Sequence, residues 1–313
     1  MIKNHPDISI ILLTYNGELY LEEVLSSIFI QKTRFNFEVI VIDSGSWDRS
    51  LEIIREYPVK VHKISNHEFG HGKTRNMGVR LASGQYVVFL TQDAKPAHKY
   101  WLENLVKPLV DNKNIAGTYS RQIPQSDCNP CECRDIEVGA APFSIIKSVN
   151  FNDEFQKKAY EKYYHQFILF SNVSSCIRRD TLKEIPFNEK ITMMEDQEWC
   201  KKALDSGYTV VYEATSVVYH SHNFPIQMYY KRHFDYGLSY KVFTSFQMTF
   251  KDVLAYTLFT SFLDFIFISR QRKHIFWKMK WIVKAPFIRF AMRYGFYKGL
   301  FSISKQSLKI REL

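Results

Sequence analysis

Residues 9–18, SIILLTYNGE, decide how the rest of the chain is read. Ile8 to Leu13 is an unbroken apolar run with the length of a strand covered on both faces, and Thr14, Tyr15, Asn16 and Gly17 end it. Beyond that break Leu21, Val24, Leu25, Ile28 and Phe29 recur at i, i+3, i+4 and i+7, which predicts a helix with one buried stripe. The same alternation continues downstream. Phe37 to Ile42 predicts a second strand ending at Asp43, and Ser46 or Asp48 is placed to cap a helix through Leu51 and Ile54. Val59 to Ile64 and Gln85 to Thr91 predict two more strands, and Leu102, Leu105, Val106 and Leu109 another helix. Strands alternating with helices predict an α/β fold on a doubly wound, mostly parallel sheet. Ligands of such sheets lie beyond the carboxyl ends of the strands, where this chain carries Thr14, Asn16, Asp43, Ser44, Ser46, Gln92 and Asp93. Neither G-x-G-x-x-G nor G-x-x-x-x-G-K-[ST] is present, so bound phosphate is expected to be neutralised by a cation.

The 313 residues are 46% apolar and 24% charged with 12 Gly and 10 Pro, which excludes a fibrous or wholly disordered chain. The net charge of +10 is local. Residues 270–313 hold 12 Lys and Arg against one acidic residue, while the first 269 residues hold 30 against 31. Phe276, Trp277, Trp281, Phe287, Phe290, Tyr294 and Phe296 interleave with those cations. This pattern suits an anionic lipid surface, and no folded nucleic-acid module accompanies it. Val253 to Ser269 is apolar for 17 residues but contains Asp264, short of the roughly 20 that span a bilayer, so an interfacial or core helix is expected. No secretory signal opens the sequence, and a cytoplasmic protein is expected. Cys128, Cys131 and Cys133 form C-x-x-C-x-C without a second pair or His at finger spacing, so zinc is not expected there.

Four strings, SIILLTYNGE, EVIVIDSGSWDRS (38–50), GQYVVFLTQDA (84–94) and MMEDQEW (193–199), resemble family-2 glycosyltransferases with the GT-A fold. The bacterial rhamnosyltransferase branch is resembled most, through FGHGKTRNMG (69–78), TQDA (91–94), SRQIP (120–124), FSNVSSCIRR (170–179) and VVYHSH (217–222). The charge and aromatic pattern beyond residue 240 leads us to expect a basic, aromatic helical appendage over 241–313 that meets the membrane through residues 250–313. The resemblance runs from about residue 8 to 240 and implies a catalytic domain over residues 1–240. It implies that Asp93, the second acid of the family's D-x-D, ligates Mg²⁺ or Mn²⁺; Thr91 replaces the first acid, and His220 or His222 is expected to help hold the ion. Asp196 is implied as general base, with Glu195 beside it. Thr14, Asn16 and Asp43 are expected around the nucleoside. Arg75, Asn76, Gln92, Arg121 and Gln122 are expected near the diphosphate and donor sugar, and Asn172, Ser175 and Arg232 on the acceptor side.

The implied reaction is inverting transfer of L-rhamnose from dTDP-β-L-rhamnose to a lipid-linked or nascent polysaccharide, at the inner face of the cell membrane. Two alternatives stay open at this level: another UDP- or GDP-linked donor on the same fold, or an inactive membrane-associated sugar-nucleotide-binding assembly protein.

Overall fold

The computed structural model describes residues 5–302; residues 303–313, the end of the expected basic tail, lie outside the described residues. The elements run β1 (Ile8–Thr14), α1 (Leu21–Phe29), β2 (Phe37–Asp43), α2 (Ser50–Arg55), β3 (Lys60–Lys63), α3 (His71–Leu81), β4 (Tyr86–Thr91), β5 (Lys95–Pro96), α4 (Trp101–Asp111) and β6 (Ile115–Ile123). They continue with α5 (Pro130–Gly139), β7 (Ile145–Lys147), α6 (Glu154–Phe167), β8 (Ser174–Arg178), α7 (Arg179–Glu184), α8 (Glu195–Asp205), β9 (Thr209–Tyr219), α9 (Ile226–Phe243), α10 (Phe250–Arg270) and α11 (Ile275–Phe301). The chain divides into two compact units. The first contains residues up to Ile123, Ala140–Lys190 and Glu195–His220; the second contains Pro124–Gly139, Ile191–Met194 and the chain from Ser221 onward. The expected boundary after residue 240 falls inside α9.

Sheet order in the first unit, among the described residues, is β3-β2-β1-β4-β8-β6-β9-β5, with β7 also pairing β9, on the side away from β6. β3, β2, β1 and β4 are parallel, as the buried apolar runs predict. β8 then enters antiparallel between β4 and β6, and β6 runs parallel to β9. Ile8, Ile10, Leu12, Val39, Val41, Val88 and Leu90 of the strands form one apolar cluster with Leu21, Leu25 and Ile28 of α1 and Trp101, Leu105 and Leu109 of α4. α3 was among the helices that were not legible. FGHGKTRNMG has no apolar stripe, yet its residues from His71 form α3, which buries Thr74, Arg75 and Asn76.

The second unit is held by other means. α9 and α11 approach so closely that a β-carbon on Gly237 would meet the Phe296 carbonyl, one on Gly295 the Tyr230 carbonyl, and one on Gly299 the Phe234 carbonyl. At its centre Asp264 of α10 is fully buried and bidentate to Arg289 of α11, 2.6 Å to Nε and 2.8 Å to Nη2, with Arg134 of α5 3.2 Å away. Arg289 also donates to Asp135 and to the Cys131 carbonyl. A buried pair broken on one side leaves an uncompensated charge, so Asp264→Ala is expected to destabilise this unit by about 3–5 kcal/mol in urea unfolding. A loss under about 1 kcal/mol would show that Asp135 and the Cys131 carbonyl satisfy Arg289 without Asp264.

Candidate active site

Three groups of polar side chains gather at the strand ends of the first unit. The first joins β1, β2 and β4. Gln92 Oε1 accepts from Thr14 Oγ1 (2.7 Å) and the Tyr15 N–H (2.8 Å), while its Nε2 donates to the Tyr15 carbonyl (3.0 Å). Gln92 is thus a strap across β1 and β4. A β-carbon on Gly17 would lie 2.6 Å from Gln92 Oε1, so the strap also requires glycine there. Asn16 takes a left-handed φ of 48° that a short polar side chain tolerates, donates its N–H to Ser46 Oγ (2.9 Å) and accepts from the Trp47 N–H (3.1 Å). Gly17 and Glu18 donate to Ser50 and Asp48. Ser46 and Asp48 therefore zip two loops together, and Asp48 Oδ1 also accepts from the Ser50 N–H (3.0 Å) at the start of α2, where a cap was predicted. Asp43 Oδ2 accepts from the Gly45 and Ser46 N–H groups (3.1 and 3.2 Å), whereas its Oδ1 is buried with no hydrogen-bond partner. An unsatisfied buried acceptor is costly, and Oδ1 is left able to accept one more hydrogen bond.

The second group lies where β4, β6 and β9 end. The β6–β9 register slips between Ser120, opposite Glu213, and Arg121, opposite Val217, leaving Ala214 to Ser216 without partners on β6. Such a bulge re-aims the residues beyond it. Past it, His220 reaches Asp93, with Nε2 3.7 Å from Oδ2. Gln122 Oε1 is 2.9 Å from His220 Nδ1, and its amide orientation is set by Nε2 donating to Ser171 Oγ at 3.1 Å. With Nδ1 toward Gln122, the His220 ring turns its Nε2 to the Asp93 side. An aspartate oxygen and an imidazole nitrogen form a donor set that fits a divalent cation. His222, two residues further on, belongs to the second unit, where its ring stacks on Phe224 and its N–H donates to Glu132. Arg121 Nε is buried and without a hydrogen-bond partner. The Gln122 and Ser171 supports were not read from sequence, since nothing local marks a residue that only orients another.

The third group is the acidic pair opening α8. Glu195 Oε1 accepts from Arg75 Nη1 of α3 at 2.6 Å and lies 3.3 Å from Asn172 Nδ2. Asp196 accepts from the Asn172 N–H (3.0 Å) and the Gln197 N–H (2.8 Å). Ser175 Oγ donates to Asn172 Oδ1 at 2.7 Å. Asn172 and Ser175, expected toward the acceptor, are instead buried and hold this pair. Arg75 and Asn76, expected at the diphosphate, also point inward: Arg75 to Glu195, and Asn76 to Phe187 and Glu189. Arg232 lies on α9 of the second unit, its guanidinium over Phe224 and donating to Tyr236. Burial and the adjacent Glu195 raise the Asp196 carboxyl to about 7, while Arg75 and His71 keep Glu195 below its usual range despite burial. The two acids are driven apart, one held ionised as the counter-ion of Arg75 and the other raised toward neutrality.

Polar and acidic groups gathered at the carboxyl ends of a mostly parallel sheet are the arrangement of the GT-A fold, and solved structures agree on that fold. The mannosyltransferase PcManGT of Pyrobaculum calidifontis, solved with GDP-Man and Mn²⁺, matches with a TM-score of 0.57 at 15% identity over 94% of this chain and 88% of that one. Staphylococcus aureus TarS (residues 1–349) with UDP-GlcNAc matches at 0.53 and 18% identity, over 94% and 90% of the two chains. The model of glycosyl transferase family 2 matches residues 9–181, and the chain belongs to that family. Among its relatives, the O-antigen chain rhamnosyltransferase RfbN of Salmonella typhimurium is 33% identical over 74% of this chain and 71% of its own length. WbaN of Salmonella anatum, with the same description, is 31% identical over 74% and 72%.

If Asp196 is the base, only its ionised form works. Transfer should therefore rise with pH through about 7 and level off above it. Asp196→Asn should lower the rate about 10²-fold or more with nucleotide affinity kept, and should abolish that limb of the profile. Parallel losses of rate and affinity would assign Asp196 a structural role.

Proposed function

We propose that this glycosyltransferase moves L-rhamnose from dTDP-β-L-rhamnose to a saccharide growing on a membrane lipid, with inversion at the anomeric carbon. The single observation that carries the donor and the acceptor class is the 31–33% identity to two O-antigen chain rhamnosyltransferases over three quarters of the chain. In this reading the first unit performs the chemistry and the second holds it at the inner membrane surface. Thr14, Asn16 and Asp43 receive the nucleoside, and the unpaired Asp43 Oδ1 suits the imide N–H of a pyrimidine base. Arg121, with its unpaired Nε, faces the diphosphate. Gln92, Arg75 and Asn76 shape the pocket from behind, and Arg232 is assigned to the acceptor side.

Asp93 and His220, with His222 as a further ligand, would hold Mg²⁺ or Mn²⁺, which when bound offsets the charge of the diphosphate leaving group. Asp196 takes the proton from the attacking acceptor hydroxyl. As the new C1–O bond forms, the bond to the diphosphate oxygen breaks on the opposite face, and dTDP departs with the bonding pair.

The test is a panel of nucleotide sugars assayed for nucleotide diphosphate release with and without Mn²⁺. dTDP-rhamnose should be turned over fastest, chelator should stop the reaction, and Asp93→Ala should abolish it. Faster turnover of a UDP- or GDP-sugar would overturn the donor assignment, and unchanged metal dependence in Asp93→Ala would overturn the ligand assignment.

A further inference from the structure

The apolar order of the second unit is reversed. Along α10 the buried stripe is Val253, Thr257, Thr260, Asp264 and Ile268, mostly polar or charged. Its exposed residues include Leu258, Phe259 and Phe262, between 59% and 73% accessible. On α11 the buried positions are Ala285, Ile288, Arg289, Ala291, Gly295 and Gly299, while Phe276, Val283 and Phe287 stand out at 62–74%. A water-facing helix shows the opposite arrangement, with large apolar residues inside and polar ones outside. Small residues and satisfied charges inside, with Leu and Phe outside, belong to helices whose surroundings are hydrocarbon. α10 is also the one described helix long and apolar enough to cross a membrane, but its mid-helix Asp264 is locked to Arg289 and Arg134 within the unit.

We infer that the outward faces of α10 and α11 insert into the hydrocarbon layer of one leaflet of an anionic bilayer, with the helices lying along the surface rather than crossing it. Lys278, Lys280 and Lys284 of α11 alternate with the apolar positions, and Arg270, Arg272 and Lys273 crowd the α10–α11 turn. Among the described residues from 270 onward there is no acidic side chain to oppose them. That complementarity to acidic headgroups selects a lipid surface over a second copy of the same basic chain. The sequence leads to adsorption by the basic residues with help from the interleaved aromatics of α11; the reversed apolar order extends the apolar contact to α10 as well. Insertion makes apolar contact the main term, so salt weakens the association without ending it. The inference rests on the proposed function only for its purpose, which is to keep the enzyme where a lipid-borne acceptor lies.

Flotation of the full chain with vesicles of phosphatidylcholine and phosphatidylglycerol tests it. The wild type should float and stay largely bound in 1 M NaCl. Leu258→Ser, Phe262→Ser and Phe265→Ser combined, all at exposed positions, should lower partitioning at least about tenfold, with the thermal unfolding midpoint kept. Lys278→Gln, Lys280→Gln and Lys284→Gln combined should weaken binding mainly at low salt. Release of the wild type by salt alone, or an unaffected serine variant, would overturn the inference. So would a wild-type dimer in solution that the serine variant turns into monomers. Donor turnover is measured on the same preparations, so a wrong donor assignment shows there and leaves the flotation result standing.

Discussion

Two carboxylates on consecutive residues repel each other, and α8 opens on such a pair. The structure tolerates it because Arg75 lies 2.6 Å from Glu195, deep in the first unit. Much of the surrounding architecture answers to that ion pair. α3 must bring an arginine through the interior, so it carries glycines and polar residues where a surface helix would carry an apolar stripe. β8 enters beside β4, and just before it the Asn172 backbone and side chain reach both acids. A buried ion pair of this kind is a poor source of net stability. Its effect is to fix which of the two acids keeps its proton.

The parallel half of the sheet could be read from the sequence because a strand covered on both faces leaves an unbroken apolar run. Ile8–Thr14, Phe37–Asp43 and Tyr86–Thr91 fall within a residue or two of the runs that predict them. α3 could not be read, since periodicity reports burial of apolar groups and α3 buries Thr74, Arg75 and Asn76. The antiparallel entry of β8 was equally hidden, because topology beyond the alternating βα units leaves no mark on local spacing.

Among the site residues the motifs located the positions but not the directions of the side chains. Asp93 and His220 come together through the β9 bulge, a register slip that composition does not encode. Arg75, Asn76, Asn172 and Ser175 lie in the right segments yet face inward, where they hold Glu195, Asp196 and the 187–189 segment. Polar residues in a motif look alike in sequence whether they touch a substrate or brace the residue that does. Only hydrogen-bond partners separate the two.

The glycines between α9 and α11 bear on how this chain can vary. In an ordinary helical unit the large buried side chains tolerate substitution worst and the exposed ones tolerate it freely. Here the interface is backbone against backbone at Gly237, Gly295 and Gly299, so a single methyl group at any of them forces the helices apart. The bulky positions outside, such as Val283 and Phe287, touch no such close packing, so the smallest side chains of this unit, not the largest, set how near its helices can lie.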